Sequence, residues 1–190
     1  MRLKLGLIFF CALIPLCASA QELQFGLGPQ AGVLSYNQDQ ISSTKLAWGG
    51  HARLRAFKYF AAEFSAQRRE DNFNFRNGNI DLETIPLQLS GIVYPLGMFP
   101  VSPYFLAGTG WYFFNVTIRG NLGLPFVTGE GTISVTETAP HIGVGVEAFV
   151  GKHWSVGADA RKVFLTFNSD IIRNIKFDAY FVNVGATFYF

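Results

Sequence analysis

The amino-acid sequence predicts an all-β protein, an eight-stranded antiparallel up-and-down transmembrane β-barrel, on three observations. Segments of about ten residues alternate bulky apolar side chains with small or polar ones, the period-two pattern of strands with lipid on one side and a barrel interior on the other. Long polar links alternate with short turns along the chain. Charged residues make up only 15% and aromatics reach 16%, against roughly 25% charged residues in soluble domains.

The first element is not a strand. Arg2 and Lys4 precede an apolar run from Leu5 to Leu16, and Ala18, Ser19 and Ala20 precede Gln21. A charged start, a short apolar core and small residues before the cut describe a secretory signal peptide, residues 1–20, cleaved near Ala20. The run is shorter than the roughly 20 residues a spanning helix needs, so a retained anchor is the weaker reading. Both cysteines, Cys11 and Cys17, lie in this leader. Lipidation at Cys17 is a further weaker reading, because bulky Leu16 precedes it. The mature chain, 21–190, thus has no thiol for a disulfide, a thiolate metal site or a nucleophile. Losing Arg2 and Lys4 also removes the excess of 15 basic over 13 acidic residues. A formally neutral chain has no global attraction to nucleic acid.

Eight segments follow in order. Glu22 to Leu34, Leu46 to Phe57 and Phe60 to Arg69 open the set, the last two joined by a short turn at Lys58-Tyr59. In the fourth, Ile85, Leu87, Leu89, Gly91 and Val93 alternate with Thr84, Pro86, Gln88, Ser90 and Ile92. Pro86 has no amide hydrogen to give a ladder, so a bulge or a locally open edge is expected there. The fifth runs from Pro103 to Val116, with Phe105, Ala107, Thr109, Trp111 and Phe113 on one face. The sixth sets Ile142, Val144, Val146 and Ala148 against His141, Gly143, Gly145 and Glu147. After a tight Gly151-Lys152 turn, the seventh sets Trp154, Val156, Ala158 and Ala160 against Ser155, Gly157, Asp159 and Arg161. The eighth places Tyr180, Val182, Val184, Ala186, Phe188 and Phe190 on one face.

The links at 35–45, 70–79, 117–138 and 168–176 are long; those at 58–59, 95–102 and 151–152 are shorter. Outer-membrane barrels show this asymmetry, with long loops outside the cell and short turns in the periplasm. The structural rival is a soluble lipocalin-like barrel, whose apolar face points inward. Here glycine and charge share the face opposite the bulky apolar residues, which suits a lipid-facing barrel.

The predicted inner face carries His51, Arg53, Arg55, Glu63, Gln67, Glu147, Asp159 and Arg161. A two-residue turn at Lys58-Tyr59 would set Arg55 opposite Glu63 and Arg53 opposite Ser65, predicting a cross-strand ion pair. Two readings of the set stand side by side. In one, paired charges plug a lumen just wide enough for side chains; in the other, they gate a narrow pore. Inner glycines Gly143, Gly145, Gly157 and Gly185 leave space that favours the pore.

Other constellations carry less. His153-Trp154-Ser155 resembles the His-x-Ser element of lipid A deacylases, but it follows a short turn and falls at the periplasmic rim, away from the outer leaflet. His153 and Trp154 suit an interfacial belt instead. His51, His141 and His153 lie on separate segments, so no metal and no cofactor is expected. In 117–138, Leu122, Leu124, Phe126 and Val127 are apolar, as are Phe73 and Phe75 in the link 70–79. Such residues form a docking surface for an extracellular partner, extend the strands above the membrane or fold over the barrel mouth.

The aromatic end Tyr189-Phe190, the stretch PYFLAGTGWYFF and the run GVGVEAFVGKHWSVGADARKVF resemble the outer-membrane β-barrel domain family that includes OmpA-like and OmpW-like small barrels. The resemblance covers the mature chain and implies residence among bacterial outer-membrane lipid. It implies that Phe190 is part of the signal read by the barrel-assembly machinery. No stretch after Phe190 corresponds to the peptidoglycan-binding domain of longer OmpA-type chains, so wall tethering is not expected. The expected function is a non-enzymatic structural or surface-interaction barrel. A small passive channel, for apolar solutes as in OmpW-like relatives, is the first alternative, and a lipid-modifying enzyme the second.

Overall fold

A computed structural model describes residues 23–36, 45–75, 78–97, 99–120, 131–167 and 175–190. The predicted leader with Cys11 and Cys17, and the apolar quartet Leu122, Leu124, Phe126 and Val127, lie outside the described residues. Eight strands form one closed barrel in chain order: β1 (Gln24–Tyr36), β2 (Lys45–Ala56), β3 (Phe60–Phe75), β4 (Gly78–Val93), β5 (Val101–Gly120), β6 (Gly131–Val150), β7 (Trp154–Phe167) and β8 (Ile175–Tyr189). Every pair is antiparallel, and β1 closes on β8.

The faces follow the predicted alternation. Leu27, Leu54, Phe64, Val144, Val156 and Val182 are exposed on the outer wall, while Arg53, Glu63, Glu147, Asp159 and Arg161 are buried inside. An inside-out distribution of this kind is stable only with hydrocarbon outside, and it excludes the lipocalin arrangement. Closure leaves no edge with unpaired backbone groups. The last residue contributes: the Phe190 amide donates to the Phe25 carbonyl at 2.9 Å. Its ring packs edge-on against Phe188 at 5.1 Å.

Strand ends and turns differ from the sequence reading. β3 and β4 continue to Phe75 and from Gly78, and β5 and β6 are 20 residues each. About 9–11 residues suffice to cross a bilayer, so β5 and β6 have the length to stand well above it. Residues 117–120 and 131–138 of the predicted loop are thus strand. The β2–β3 turn has three residues, Phe57 to Tyr59, between the pair Ala56 and Phe60. Phe57 has a φ of 66°, a conformation costly for a bulky residue. The β6–β7 turn likewise has three residues, between Val150 and Trp154, and Gly151 supplies its positive φ of 72°.

The proline expectation is half met. Pairing of β4 with β5 runs unbroken through Pro86 and Tyr112. Toward β3, the ladder passes from Ala66↔Leu87 to Arg69↔Thr84 without the two rungs between. Register is identical on both sides, so there is no bulge; there is a locally open stretch on the side a Pro86 amide would have served. The same break occurs beside Pro29, where β1–β8 pairing jumps from Leu27↔Phe188 to Gln30↔Gly185. The rule applied to Pro86 held for Pro29 as well, and the sequence reading had not applied it there.

Candidate functional site: the lumen

All eight predicted inner-face residues, His51, Arg53, Arg55, Glu63, Gln67, Glu147, Asp159 and Arg161, are buried in the lumen. Alternation on β2, β3, β6 and β7 puts them there, and their length lets them meet across the barrel. The ion pair forms, but not between the residues the two-residue turn implied. Arg53 lies opposite Glu63, Arg55 opposite Ala61 and His51 opposite Ser65. The pairing is displaced by two residues, which preserves every side chain's face while changing its neighbours.

The charges form a chain. Asp159 accepts from Arg161 Nε at 2.6 Å, and Arg161 Nη2 reaches Glu63 Oε1 at 2.7 Å. Glu63 Oε2 accepts from Arg53 Nε at 3.0 Å, and Arg53 Nη1 continues to Glu147 Oε2 at 2.9 Å. Arg55 ends the series, 3.5 Å from Glu147 and stacked 4.0 Å from the ring centres of both Phe149 and Tyr189. Three carboxylates thus alternate with three guanidiniums. Burying such charges costs several kcal/mol each unless they are paired and their remaining hydrogen-bonding positions filled.

Most of them are filled here; Arg55 Nε and Nη2, at the end of the series, have no hydrogen-bond partner among the described residues. Glu147 also accepts from Tyr94 OH at 2.6 Å, Tyr189 OH at 2.8 Å and the Ser155 hydroxyl. Asp159 accepts from Asn183 Nδ2 at 3.0 Å, and Arg161 Nη1 donates to Gln88 at 2.9 Å. Gln67 donates to Asn183 at 3.0 Å. Apart from Gln67, these neutral partners were missed by the sequence reading. Their signal was present, since each sits on the inward parity of its strand, but tyrosines there read as ordinary apolar positions.

The inner glycines differ in the space they leave. A Cβ at Gly145 would collide with the Tyr104 ring directly across the β5–β6 pair, and one at Gly26 would meet Tyr189 across β1–β8 at 2.8 Å. At these two positions a ring lies over the glycine and fills the room, a recurrent way of packing glycine in sheets, whereas Gly157 keeps space beside it. A space next to the network, among Gln30, His51, Asp159, Gly157 and Gly185, has a volume of about 10 Å³, about the size of one water.

Toward the long links the filling changes. Tyr112, Phe114, Ala139, Val163, Leu165, Ala179 and Phe181 form an apolar cluster, with the buried pair Arg69–Asp71 at 2.7 Å on the opposite wall. On the outer side the extended strands carry ion pairs, Arg68 with Glu70 at 2.7 Å and with Glu83 at 2.8 Å.

The serine and histidine of the His153-Trp154-Ser155 stretch lie where the sequence reading put them. Ser155 turns inward to Glu147, while His153 stacks on Phe188 at 5.8 Å at the rim. A Ser–His contact does exist elsewhere, Ser90 Oγ to His141 Nε2 at 2.8 Å. His141 Nδ1 has no hydrogen-bond partner among the described residues, so no carboxylate orients this imidazole as nucleophilic catalysis requires. His51 Nε2 bonds Thr187 at 2.8 Å. No group of three His, Cys, Asp or Glu side chains among the described residues is placed to hold a metal ion.

A closed eight-stranded barrel with an apolar outer wall and a charged, filled lumen defines a small integral outer-membrane barrel. The chain belongs to the outer membrane protein beta-barrel domain family, whose profile matches residues 6–190. Neisserial surface protein A is similar in fold, at 15% identity and a TM-score of 0.61, covering 87% of this chain and 97% of that one. The attachment invasion locus protein Ail of Yersinia pestis, solved with the heparin analogue sucrose octasulfate, is 13% identical over 90% of this chain and all of that one, TM-score 0.57. OprG of Pseudomonas aeruginosa is 12% identical over 90% of this chain and 97% of that one, TM-score 0.57. No curated protein matches the sequence.

Proposed function

We propose that this protein is a non-conducting, non-enzymatic outer-membrane barrel that acts through its extracellular strand extensions and loops, after export on a leader cleaved near Ala20. One observation carries the reading: the unbroken series Asp159–Arg161–Glu63–Arg53–Glu147–Arg55 across the lumen. An ion path would have to break several buried pairs at once, each costing about 3–5 kcal/mol when one partner is left alone. Two proteins of similar fold are named for surface roles, as a surface protein and an attachment invasion locus protein, which fits this use of the scaffold. Phe190 would serve as the assembly signal, and its place beside β1 suits a strand that closes the barrel last.

The test is conductance of refolded protein in a planar bilayer, with Arg53→Ala alongside. Silence from wild type is expected. Discrete wild-type openings whose size changes in Arg53→Ala would overturn the reading and make the network a gate.

A second reading has its own observation. The two absent rungs between β3 and β4 beside Pro86 lie at the level where Gln88 bonds Tyr112 at 2.9 Å and the lumen turns from charged to apolar. A small apolar solute entering from outside would leave sideways through the wall there. Pro86→Ala restores the donor; on this reading it slows uptake of an apolar dye into vesicles, whereas on the first reading uptake matches protein-free vesicles in both forms.

A further inference from the structure

The outer wall is not uniform. A groove of about 440 Å³ crosses its β5–β8 side, and its lining includes Phe105, Val144, Ala160, Lys162, Tyr180 and Val182. Its shape follows from the sequence of β7. Outward positions there read Trp154, Val156, Ala158, Ala160, Lys162 and Phe164. The two alanines are flanked on one side by Val146 and Val144 of β6 and on the other by Val184 and Val182 of β8. Of these, Ala160 lies in the groove, and its small side chain between branched Val144 and Val182 opens a furrow that crosses the strands below Lys162 and Tyr180.

The furrow has a polar end. Lys162, directly beyond Ala160, is one-third exposed, held by Asp178 at 2.7 Å, and lies 5.6 Å from the centre of the Tyr180 ring. Arg161, which also lines the groove, turns its guanidinium into the lumen. From Trp154 at the short-turn end, eight residues at about 3.3 Å and about 40° of tilt raise Lys162 roughly 20 Å, near the top of a band about 25 Å tall. A cation at that height meets headgroups of the outer leaflet, not of the inner one.

We propose that this furrow seats one acyl chain of a phosphorylated outer-leaflet glycolipid, with Lys162 on its phosphate. The occupant must be a lipid of the membrane because the groove lies in the hydrocarbon band of a wall that faces bilayer. The phosphate is selected by Lys162, the outward cation among the residues that line the furrow. An ammonium carries three donors, and Asp178 takes one while holding the group over the furrow. The site is independent of what the lumen or the loops do.

Native mass spectrometry of delipidated protein in mild detergent, titrated with a bisphosphorylated lipid A, tests this. Heat-dependent gel mobility verifies that each variant is folded. One lipid is expected to bind wild type, about tenfold more weakly to Ala160→Phe, which fills the furrow on a lipid-facing position, and about tenfold more weakly to Lys162→Gln. Asp178→Asn separates a lipid site from a plain ion pair: removing the competing carboxylate should keep or strengthen binding, whereas a mere Lys162–Asp178 bridge makes both variants equivalent. Equal binding by wild type and Ala160→Phe, or equal binding of lipid A and its dephosphorylated form, would overturn the proposal. Tighter binding of phosphatidylglycerol than of lipid A would assign the groove to the wrong leaflet and overturn it too.

Discussion

The lumen is filled by opposite chemistries at its two ends, and they specify structure in different ways. Near the short turns, Arg53, Glu63, Glu147, Asp159 and Arg161 hold one another through directional bonds between strands far apart in sequence. Near the long links, Phe114, Val163, Leu165 and Phe181 fill space through contacts without direction. Removing one member of the first set strands a buried charge. Removing one of the second leaves a cavity that its neighbours can partly close. The charged end therefore fixes which strand meets which, and the apolar end supplies volume.

The largest effect should come from substituting within each end. Arg161→Ala deprives both Glu63 and Asp159 of their guanidinium and should cost about 3–5 kcal/mol. Leu165→Ala should cost about 2–5 kcal/mol, so the loss alone does not separate the ends. Tolerance of a like-sized side chain does. Leu165→Met should cost less than about 1.5 kcal/mol, while Arg161→Met should stay close to the alanine value, because it restores volume without charge. Urea unfolding in detergent micelles, followed by tryptophan fluorescence, reads all four. An Arg161→Met variant as stable as wild type would show that the lumen network contributes no more than packing.

A double-mutant cycle sharpens the same contrast at the level of register. Arg53 and Glu63 should show a coupling of about 0.5–3 kcal/mol, as groups in direct contact do. Arg55 and Glu63, which the sequence reading set opposite each other, should couple more weakly than Arg53 and Glu63 do. The reverse ranking would restore the expected register and move Arg55 to the centre of the network.

This register shows where sequence reading stops. Period-two alternation made every face legible, and with it the burial of all eight candidate residues, because a shift by two leaves faces unchanged. Neighbours were not legible: a displacement of the pairing by two residues decides whether Glu63 meets Arg53 or Arg55, and Phe57 adopts a positive φ that its side chain gives no reason to expect. The strand extensions were hidden for a related reason. From Glu70 to Asn79 both faces are polar or mixed, so alternation carries no hydrophobic signal although β3 and β4 pair through Phe75 and Gly78. Pro86 was legible because its effect is local, the loss of one donor.

The smallest predicted effect concerns the charged end itself, at Gly157. Here, unlike at Gly28, where an added methyl would collide with the Ala186 carbonyl, a Cβ meets nothing nearer than the Val146 carbonyl oxygen at 3.4 Å. Gly157→Ala should therefore stabilise the barrel by about 0.4–1 kcal/mol, chiefly by restricting the unfolded chain. It would do so beside Gln30 and His51, in the space next to the network. A gain of that size, read as a higher urea midpoint, means the space tolerates apolar filling and the charges alone define this end. A loss means the space is polar and belongs to the network, which would extend the directional part of the lumen from the ion chain to the His51–Thr187 pair on its far wall.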